Sequence, residues 1–129
     1  MRYKVYLSHP IRGATGTPQE IAANCAAAID TAWLVRHLLR PGYEVYVPAE
    51  QDLFPQIAMD LDYLTVDQVL AVDFEIIWGC DYLIADTRIP SNGVQKEIAF
   101  AREIGLTVLT FDDLPKLVEC CETIKELGK

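Results

Sequence analysis

The residues best placed to do chemistry are two carboxylates that fall on the apolar stripes of predicted helices. Glu97 shares a helical face with Val94, Ile98 and Ala101, while hydrophilic side chains take the opposite face. Burying a lone carboxylate on such a face costs several kcal/mol, so its position indicates a partner or a chemical task.

Asp73 repeats the pattern in the preceding helical segment. It lies in the middle of an apolar stripe formed by Val66, Val69, Leu70 and Ile77. Two inward-facing acids on two helices predict one shared polar pocket. Such a pair can divide acid and base roles, because different surroundings keep one carboxylate ionised and the other protonated.

The elements that must position these acids alternate between strands and helices. Strands are predicted at Tyr3 to Ser8, Tyr43 to Val47, Asp81 to Asp86 and Leu106 to Phe111. Helices are predicted from the capping box Thr17 to Glu20 up to about Leu39, from the capping box Thr65 to Gln68 up to Gly79, from the loop Ser91 to Gly93 up to Gly105, and from Asp113 to Leu127. Trp33 and Trp78 are expected to be packing residues.

This alternation predicts one α/β domain over residues 1–129. Strands separated by helices are parallel, so we expect a three-layer α/β/α fold with a doubly wound, flavodoxin-like or Rossmann-like parallel sheet of four to five strands. The irregular stretch Pro48 to Leu64 is expected to cover or bind something, because so long a connection is uncommon in a small domain.

In open parallel sheets, ligands bind beyond the carboxyl ends of the strands. That edge carries His9 to Gly13 after the first strand and Thr87 to Gly93 after the third. The candidate binding residues there are His9, Arg12, Gly13, Asp86, Ser91 and Gly93. Asp86 is a plausible acceptor for a sugar hydroxyl.

Composition excludes several classes of function. A net charge of −8 argues against a polymeric nucleic acid as partner. No segment reaches transmembrane length and the N-terminus reads as a strand, so we expect no membrane partner and a cytoplasmic location. Neither the four cysteines nor the loop aspartates have the spacing of a metal or redox site, so no metal and no cofactor are expected.

Three stretches of the chain occur in a distinctive combination. They are Tyr6-Leu7-Ser8-His9-Pro10-Ile11-Arg12-Gly13, then Asp73 before Asp81, then Pro90-Ser91-Asn92-Gly93-Val94-Gln95-Lys96-Glu97. This combination resembles the nucleoside 2-deoxyribosyltransferase superfamily, and within it most closely the 2'-deoxynucleoside 5'-monophosphate N-glycosidases. The resemblance covers somewhat under half of the chain.

The resemblance implies an enzyme that cleaves or transfers the N-glycosidic bond of a 2'-deoxynucleoside or its 5'-monophosphate. It implies that Glu97 is the nucleophile that attacks the anomeric carbon. Asp73 would orient the sugar and assist proton delivery to the departing base, and Tyr6 would position the nucleophile. A carboxylate suits this reaction, because it stabilises an oxocarbenium-like state and can trap it covalently.

The two acids have different helical environments. Glu97 lies in the first turn of its helix, where the helix dipole favours the anion, whereas Asp73 lies in mid-helix and is expected to protonate more readily. The resemblance also places Arg12, Ser91 and Gly93 at the phosphate end of the site, where a helix N-terminus suits an anion. It further implies a homo-oligomer, commonly a dimer.

Two alternative functions stay open. Pro10 stands where the family often has glycine or serine and removes a backbone donor, so the scaffold could be a nucleotide-sensing module without catalysis. A flavodoxin-like or receiver-like domain is the other alternative. For single residues, Asp73 could be a structurally paired acid, Tyr6 a core aromatic residue and His9 a polar strand end.

Overall fold

The strand that comes first in the chain lies in the interior of a four-stranded parallel sheet, whose strands have the spatial order second, first, third, fourth. The computed structural model describes residues 3–12, 16–39, 42–51 and 63–113. The strands are β1 (Tyr3–Ser8), β2 (Tyr43–Tyr46), β3 (Tyr82–Ala85) and β4 (Thr107–Thr110). The helices are α1 (Pro18–Leu39), α2 (Pro48–Gln51), α3 (Val66–Trp78) and α4 (Asn92–Glu103), and a 3₁₀ turn follows β4 at Phe111–Asp113.

Alternation along the strands divides the core into two layers. Val5 and Leu7 pack on one face of the sheet with residues of α1 such as Val35. Tyr6 and Leu83 pack on the other face, among apolar residues of α3 and α4. The predicted three-layer α/β/α fold with a doubly wound parallel sheet is therefore confirmed.

The strand order reverses between β1 and β3, which are neighbours in the sheet. In open α/β sheets, chain segments leaving neighbouring strands diverge at such a point and leave a crevice at the carboxyl edge. The register pairs Ser8 at the end of β1 with Ala85 at the end of β3. The residues that follow, His9 and Asp86, therefore begin side by side at the crevice.

Local sequence signals start and end the helices that flank the crevice. Thr65 and Gln68 form the predicted capping box at the start of α3. The Ser91 hydroxyl accepts from the backbone N–H of Val94 and caps α4. Just beyond α4, Gly105 has a φ of 81°, a left-handed conformation that glycine adopts without steric cost.

Several predicted boundaries shift or lie outside the described residues. β2, β3 and β4 are shorter at their ends than predicted, and Pro48–Gln51 forms one helical turn rather than irregular chain. Residues 52–62 of the predicted covering segment lie outside the described residues. So do residues 114–129, which hold nearly all of the predicted closing helix.

The packing prediction for both tryptophans is wrong. Trp33 is 68% exposed and Trp78 is 69% exposed, because each projects from the outer side of its helix. Trp33 stacks on His37, one helical turn later, with ring centroids 5.4 Å apart. Val66 is also exposed as the first residue of α3, so the apolar stripe around Asp73 begins later than predicted.

Within the described ranges, no helix combines the length and the apolar character needed to cross a membrane.

Candidate active site

Glu97 is a buried carboxylate held by two hydroxyl groups of β1. Its side chain lies in α4 and the residue is only 5% exposed. The phenol of Tyr6 donates to Oε2 at 2.5 Å, and the hydroxyl of Ser8 donates to Oε1 at 2.8 Å. Each carboxylate oxygen thus has its own donor, which fixes the rotation as well as the position of the group.

The pleat of β1 explains why these two donors meet one acid. Tyr6 and Ser8 are two residues apart, so both side chains leave the same face of the strand. That face carries α4, whose first turns bring Glu97 over the strand. Sequence reasoning selected Tyr6 but missed Ser8, although their spacing in a strand was a usable signal.

Asp73 acts on the same phenol from α3. The pKa of Tyr6 is well above its usual value because burial disfavours the phenolate, and because the charges of Glu97 and Asp73 add to that effect. Tyr6 therefore stays protonated and remains a hydrogen-bond donor. The ring of Tyr46 stacks on it with centroids 5.7 Å apart, which restricts its orientation further.

The helices that carry the two acids pack directly on each other. The rings of Phe74 in α3 and Phe100 in α4 stack with centroids 4.6 Å apart. Each phenylalanine lies within one turn of the acid on its own helix, so the aromatic contact sets the separation of the two helices near the site.

A second buried acid, Asp86, lies at the end of β3 in a different environment. Arg88 donates from Nε to Oδ1 at 2.9 Å and from Nη2 to Oδ2 at 2.7 Å. His9 Nε2 lies 3.3 Å from the same Oδ2. Burial alone would raise the pKa of Asp86, but the hydrogen bonds and charge of Arg88, with a smaller contribution from His9, lower it below its usual value.

The remaining predicted binding residues that the structure describes lie just after β1 and at the start of α4. Arg12 is half-buried, and its guanidinium lies next to Gly16. Ser91 is the N-cap of α4, and Gly93 lies in the first turn of that helix. Gly13 lies outside the described residues.

The predicted residues thus separate into two groups. Tyr6, Asp73 and Glu97 come together around one phenol, whereas His9 and Asp86 belong to the arginine-bound cluster. The first group holds a carboxyl group in a fixed orientation, and in its ionised form such a group can meet positive charge or attack an electrophilic carbon. Among the residues that the structure describes, no group of three or more metal-binding side chains occurs.

In comparisons with known proteins, the chain matches no protein-family model, and it matches no curated protein.

Proposed function

We propose that this protein cleaves or transfers the N-glycosidic bond of a 2'-deoxynucleoside or its 5'-monophosphate, with Glu97 as the nucleophile. The observation that carries this proposal is the burial of Glu97 with one hydroxyl donor on each carboxylate oxygen. Hydroxyl donors carry no net charge, so they orient a carboxylate without forming an ion pair with it, and the ionised carboxylate is the form that an oxocarbenium-like transition state requires.

In this proposal, Tyr6 and Ser8 are positioning residues. The raised pKa of Tyr6, caused first by its burial, keeps the phenol protonated at neutral pH. Its hydrogen bond to Oε2 therefore persists while substrate binds. A nucleophile held in one orientation reacts faster, because the entropy of aligning it has been lost before the reaction begins.

Asp73 takes the role of the second acid. Its charge acts on the Tyr6 phenol, and its helix packs against the helix of Glu97. An acid near the nucleophile, on a separate element, can contact the sugar and the base while the nucleophile faces the anomeric carbon. We propose that Asp73 orients the sugar and assists protonation of the departing base.

The 5'-phosphate, where the substrate carries one, is assigned to the loops after β1 and β3. Ser91 and Gly93 lie at the N-terminus of α4, where backbone N–H groups and the helix dipole favour an anion. Arg12 lies on the neighbouring loop and supplies positive charge. Gly13, the other predicted substrate-binding residue after β1, is included as a substrate contact without an assigned part of the substrate.

The proposal also includes a cytoplasmic homo-oligomer, most simply a dimer. Two exposed tryptophans, Trp33 and Trp78, provide apolar surface of the kind that subunit contacts bury. Light scattering behind size-exclusion chromatography measures the mass directly. A mass of 14.5 kDa at micromolar concentration would contradict this part of the proposal.

The test of the activity measures base release by chromatography from the four common 2'-deoxynucleosides and their 5'-monophosphates. We expect release by the wild type and a loss of at least about 10³-fold in Glu97→Gln, since the amide cannot act as nucleophile. Glu103→Gln is the matched control, because Glu103 is an exposed glutamate of the same helix. Equal release by wild type and Glu97→Gln would overturn the proposal.

The same samples separate catalysis from binding. Calorimetry with each nucleotide reports affinity whether or not the base is released. Tight binding of a nucleotide without any base release would favour the non-catalytic sensing module over the enzyme.

A further inference from the structure

Asp86 is the centre of a hydrogen-bonded cluster at the carboxyl ends of β1 and β3. Its side chain is buried, and its oxygens accept from Nε and Nη2 of Arg88 at 2.9 and 2.7 Å. The backbone N–H of Arg88 adds a bond to Oδ1 at 3.1 Å. A two-pronged guanidinium contact together with a backbone donor fixes both the side chain and the path of the chain after β3.

The cluster also holds the loop after β1. His9 Nε2 lies 3.3 Å from Oδ2 of Asp86, and His9 Nδ1 is 2.8 Å from the carbonyl oxygen of Pro10. The backbone N–H of Asp86 donates to the carbonyl of Ser8 at 2.8 Å. The first residues of both loops are therefore joined by side-chain and backbone contacts.

The exposed side of the cluster is anchored to the next strand. The guanidinium carbon of Arg88 lies 4.5 Å from the centroid of the Phe111 ring, which follows β4. Arg88 consequently contacts an acid on one side and an aromatic ring on the other. Three strand ends, those of β1, β3 and β4, meet at this single arginine and its carboxylate partner.

We propose that His9, Asp86 and Arg88 form a positioning clamp that fixes the separation of the two loops and thereby sets the preference for a 5'-phosphorylated substrate. This inference rests on the proposed function. Arg12 follows His9 on the loop after β1, whereas Ser91 and Gly93 follow Arg88 and begin α4, so the proposed phosphate contacts come from both sides of the clamp.

The clamp acts on the phosphate rather than on the sugar for a geometric reason. The groups proposed to contact the sugar, Glu97 and Asp73, lie on α4 and α3 and are held by Tyr6 and by helix packing. Ser91 and Gly93 begin the same helix as Glu97, so a shift of the loop after β1 moves Arg12 away from them while Glu97 keeps its bonds to Tyr6 and Ser8. Asp86 is a positioning residue in this proposal, since its oxygens accept from Arg88 and lie next to His9.

The experiment compares a 2'-deoxynucleoside 5'-monophosphate with the same free deoxynucleoside on each variant. We expect Asp86→Asn and Arg88→Met to raise KM for the monophosphate about tenfold or more, with less than about threefold change in kcat and in KM for the nucleoside. Arg88→Lys is expected to have a KM for the monophosphate between those of the wild type and Arg88→Met, because lysine keeps the charge but loses the two-pronged contact. Arg102→Met, at an exposed arginine of α4, is the control.

The outcomes separate the clamp from its rivals. An equal rise in KM for both substrates would assign Asp86 to a sugar hydroxyl and overturn the clamp. A fall in kcat with both KM values unchanged would indicate a purely structural role and overturn it as well. Melting temperatures confirm that each variant is folded under assay conditions, and Arg88→Lys provides the milder variant if Asp86→Asn does not fold.

Failure of the proposed function is visible in the wild type alone. If the wild type releases no base, calorimetry with the monophosphate on the same variants decides the clamp. Binding weakened about tenfold by Asp86→Asn, but unchanged by Arg102→Met, would support it. Unchanged affinity across the variants, or no binding by the wild type, would overturn it.

Discussion

Two buried carboxylates near the end of β1 have hydrogen-bond donors of different charge. Glu97 accepts from the neutral hydroxyls of Tyr6 and Ser8, whereas Asp86 accepts from the guanidinium of Arg88. A cation neutralises the acid that it holds, and its charge lowers the carboxyl pKa. Hydroxyl groups hold an acid in place and leave its negative charge available.

Because their hydrogen-bond donors differ, we assign these two similar acids to different roles. Asp86 is paired with Arg88 and lies next to His9, and in our proposal it joins the loops after β1 and β3. If Asp86 were to act as a nucleophile, its ion pair with Arg88 would first have to break. In the proposed reaction, the hydroxyl donors that orient Glu97 would stay in place as positive charge develops on the sugar. The identity of the hydrogen-bond donor, more than burial, thus separates the proposed nucleophile from the proposed clamp.

After the nucleophile itself, the largest effect on the rate of base release is expected at the second acid, Asp73. Asp73→Asn should lower kcat by about 10² to 10⁴-fold, since the departing base loses assisted protonation. The loss should shrink for an N7-methylated purine, whose base leaves without prior protonation. The measurement is steady-state base release, with Asp67→Asn on the same helix as the exposed control. An equal loss for both leaving groups would contradict the acid role.

The hydroxyl donors are expected to have the next largest effect. Tyr6→Phe and Ser8→Ala should each lower kcat by about 10-fold or more, because a hydrogen bond to a charged group contributes about 1.5–3 kcal/mol. The double variant should lose less than the product of the single losses, since both hydroxyls hold one carboxylate. Strict additivity in this cycle would indicate that the two donors act on separate groups.

Substitution of Asp86, the acid bound by Arg88, should change the free energy of unfolding more than it changes kcat. Because Arg88 and His9 outweigh burial and lower the pKa of Asp86, its stabilising contribution is present above its usual value of 3.8 and is lost as pH falls below it. Asp86→Asn should cost about 1–3 kcal/mol near pH 7, and the gap should narrow in acid. Urea unfolding at pH 7 and pH 3 measures both. A gap independent of pH would refute the ion-pair account.

The smallest expected effect is that of Tyr6 on the free energy of unfolding at alkaline pH. Burial, reinforced by Glu97 and Asp73, raises the pKa of Tyr6 well above 10.0, so the unfolded chain ionises first and stability falls as pH rises above that value. The slope due to Tyr6 is at most about 1.4 kcal/mol per pH unit. Burial also raises the pKa of Cys80 to about 11, so the comparison belongs in a Cys80→Ala background.

Unfolding between pH 9 and pH 11 in that background should depend on pH less steeply in Tyr6→Phe than in its parent. Identical slopes would mean that the folded protein ionises this phenol as readily as the unfolded chain.

Hydrophobic periodicity and helix-capping residues predicted the fold because both signals are local in the sequence. The alternation of strands and helices, the capping box at Thr65 and the cap at Ser91 all depend on residues within one turn of each other. β1 agrees with the predicted Tyr3 to Ser8 at both ends. The pairing of Tyr6 with Glu97 was expected only through the family resemblance, since the two residues are far apart in sequence.

Other features depended on information that a single pattern does not hold. The contact between His9 and Asp86 arises from strand order, which places β1 beside β3. Trp33 and Trp78 are exposed although their hydrophobicity led us to expect burial, because the orientation of a helix decides which of its side chains face the core. Ser8 carries no distinctive signal as a single residue, and only its spacing of two from Tyr6 within a strand indicates that both hydroxyls share one face.

The most direct test of the account asks which carboxylate forms a bond to the sugar. The wild type is mixed with a 2'-fluoro-2'-deoxynucleoside 5'-monophosphate, whose fluorine slows breakdown of a glycosyl-enzyme intermediate, then quenched in acid and digested with pepsin. Peptide mass spectrometry should find the sugar phosphate on Glu97. A label on Asp73 or Asp86, or base release that leaves the Glu97 peptide unlabelled, would contradict the account.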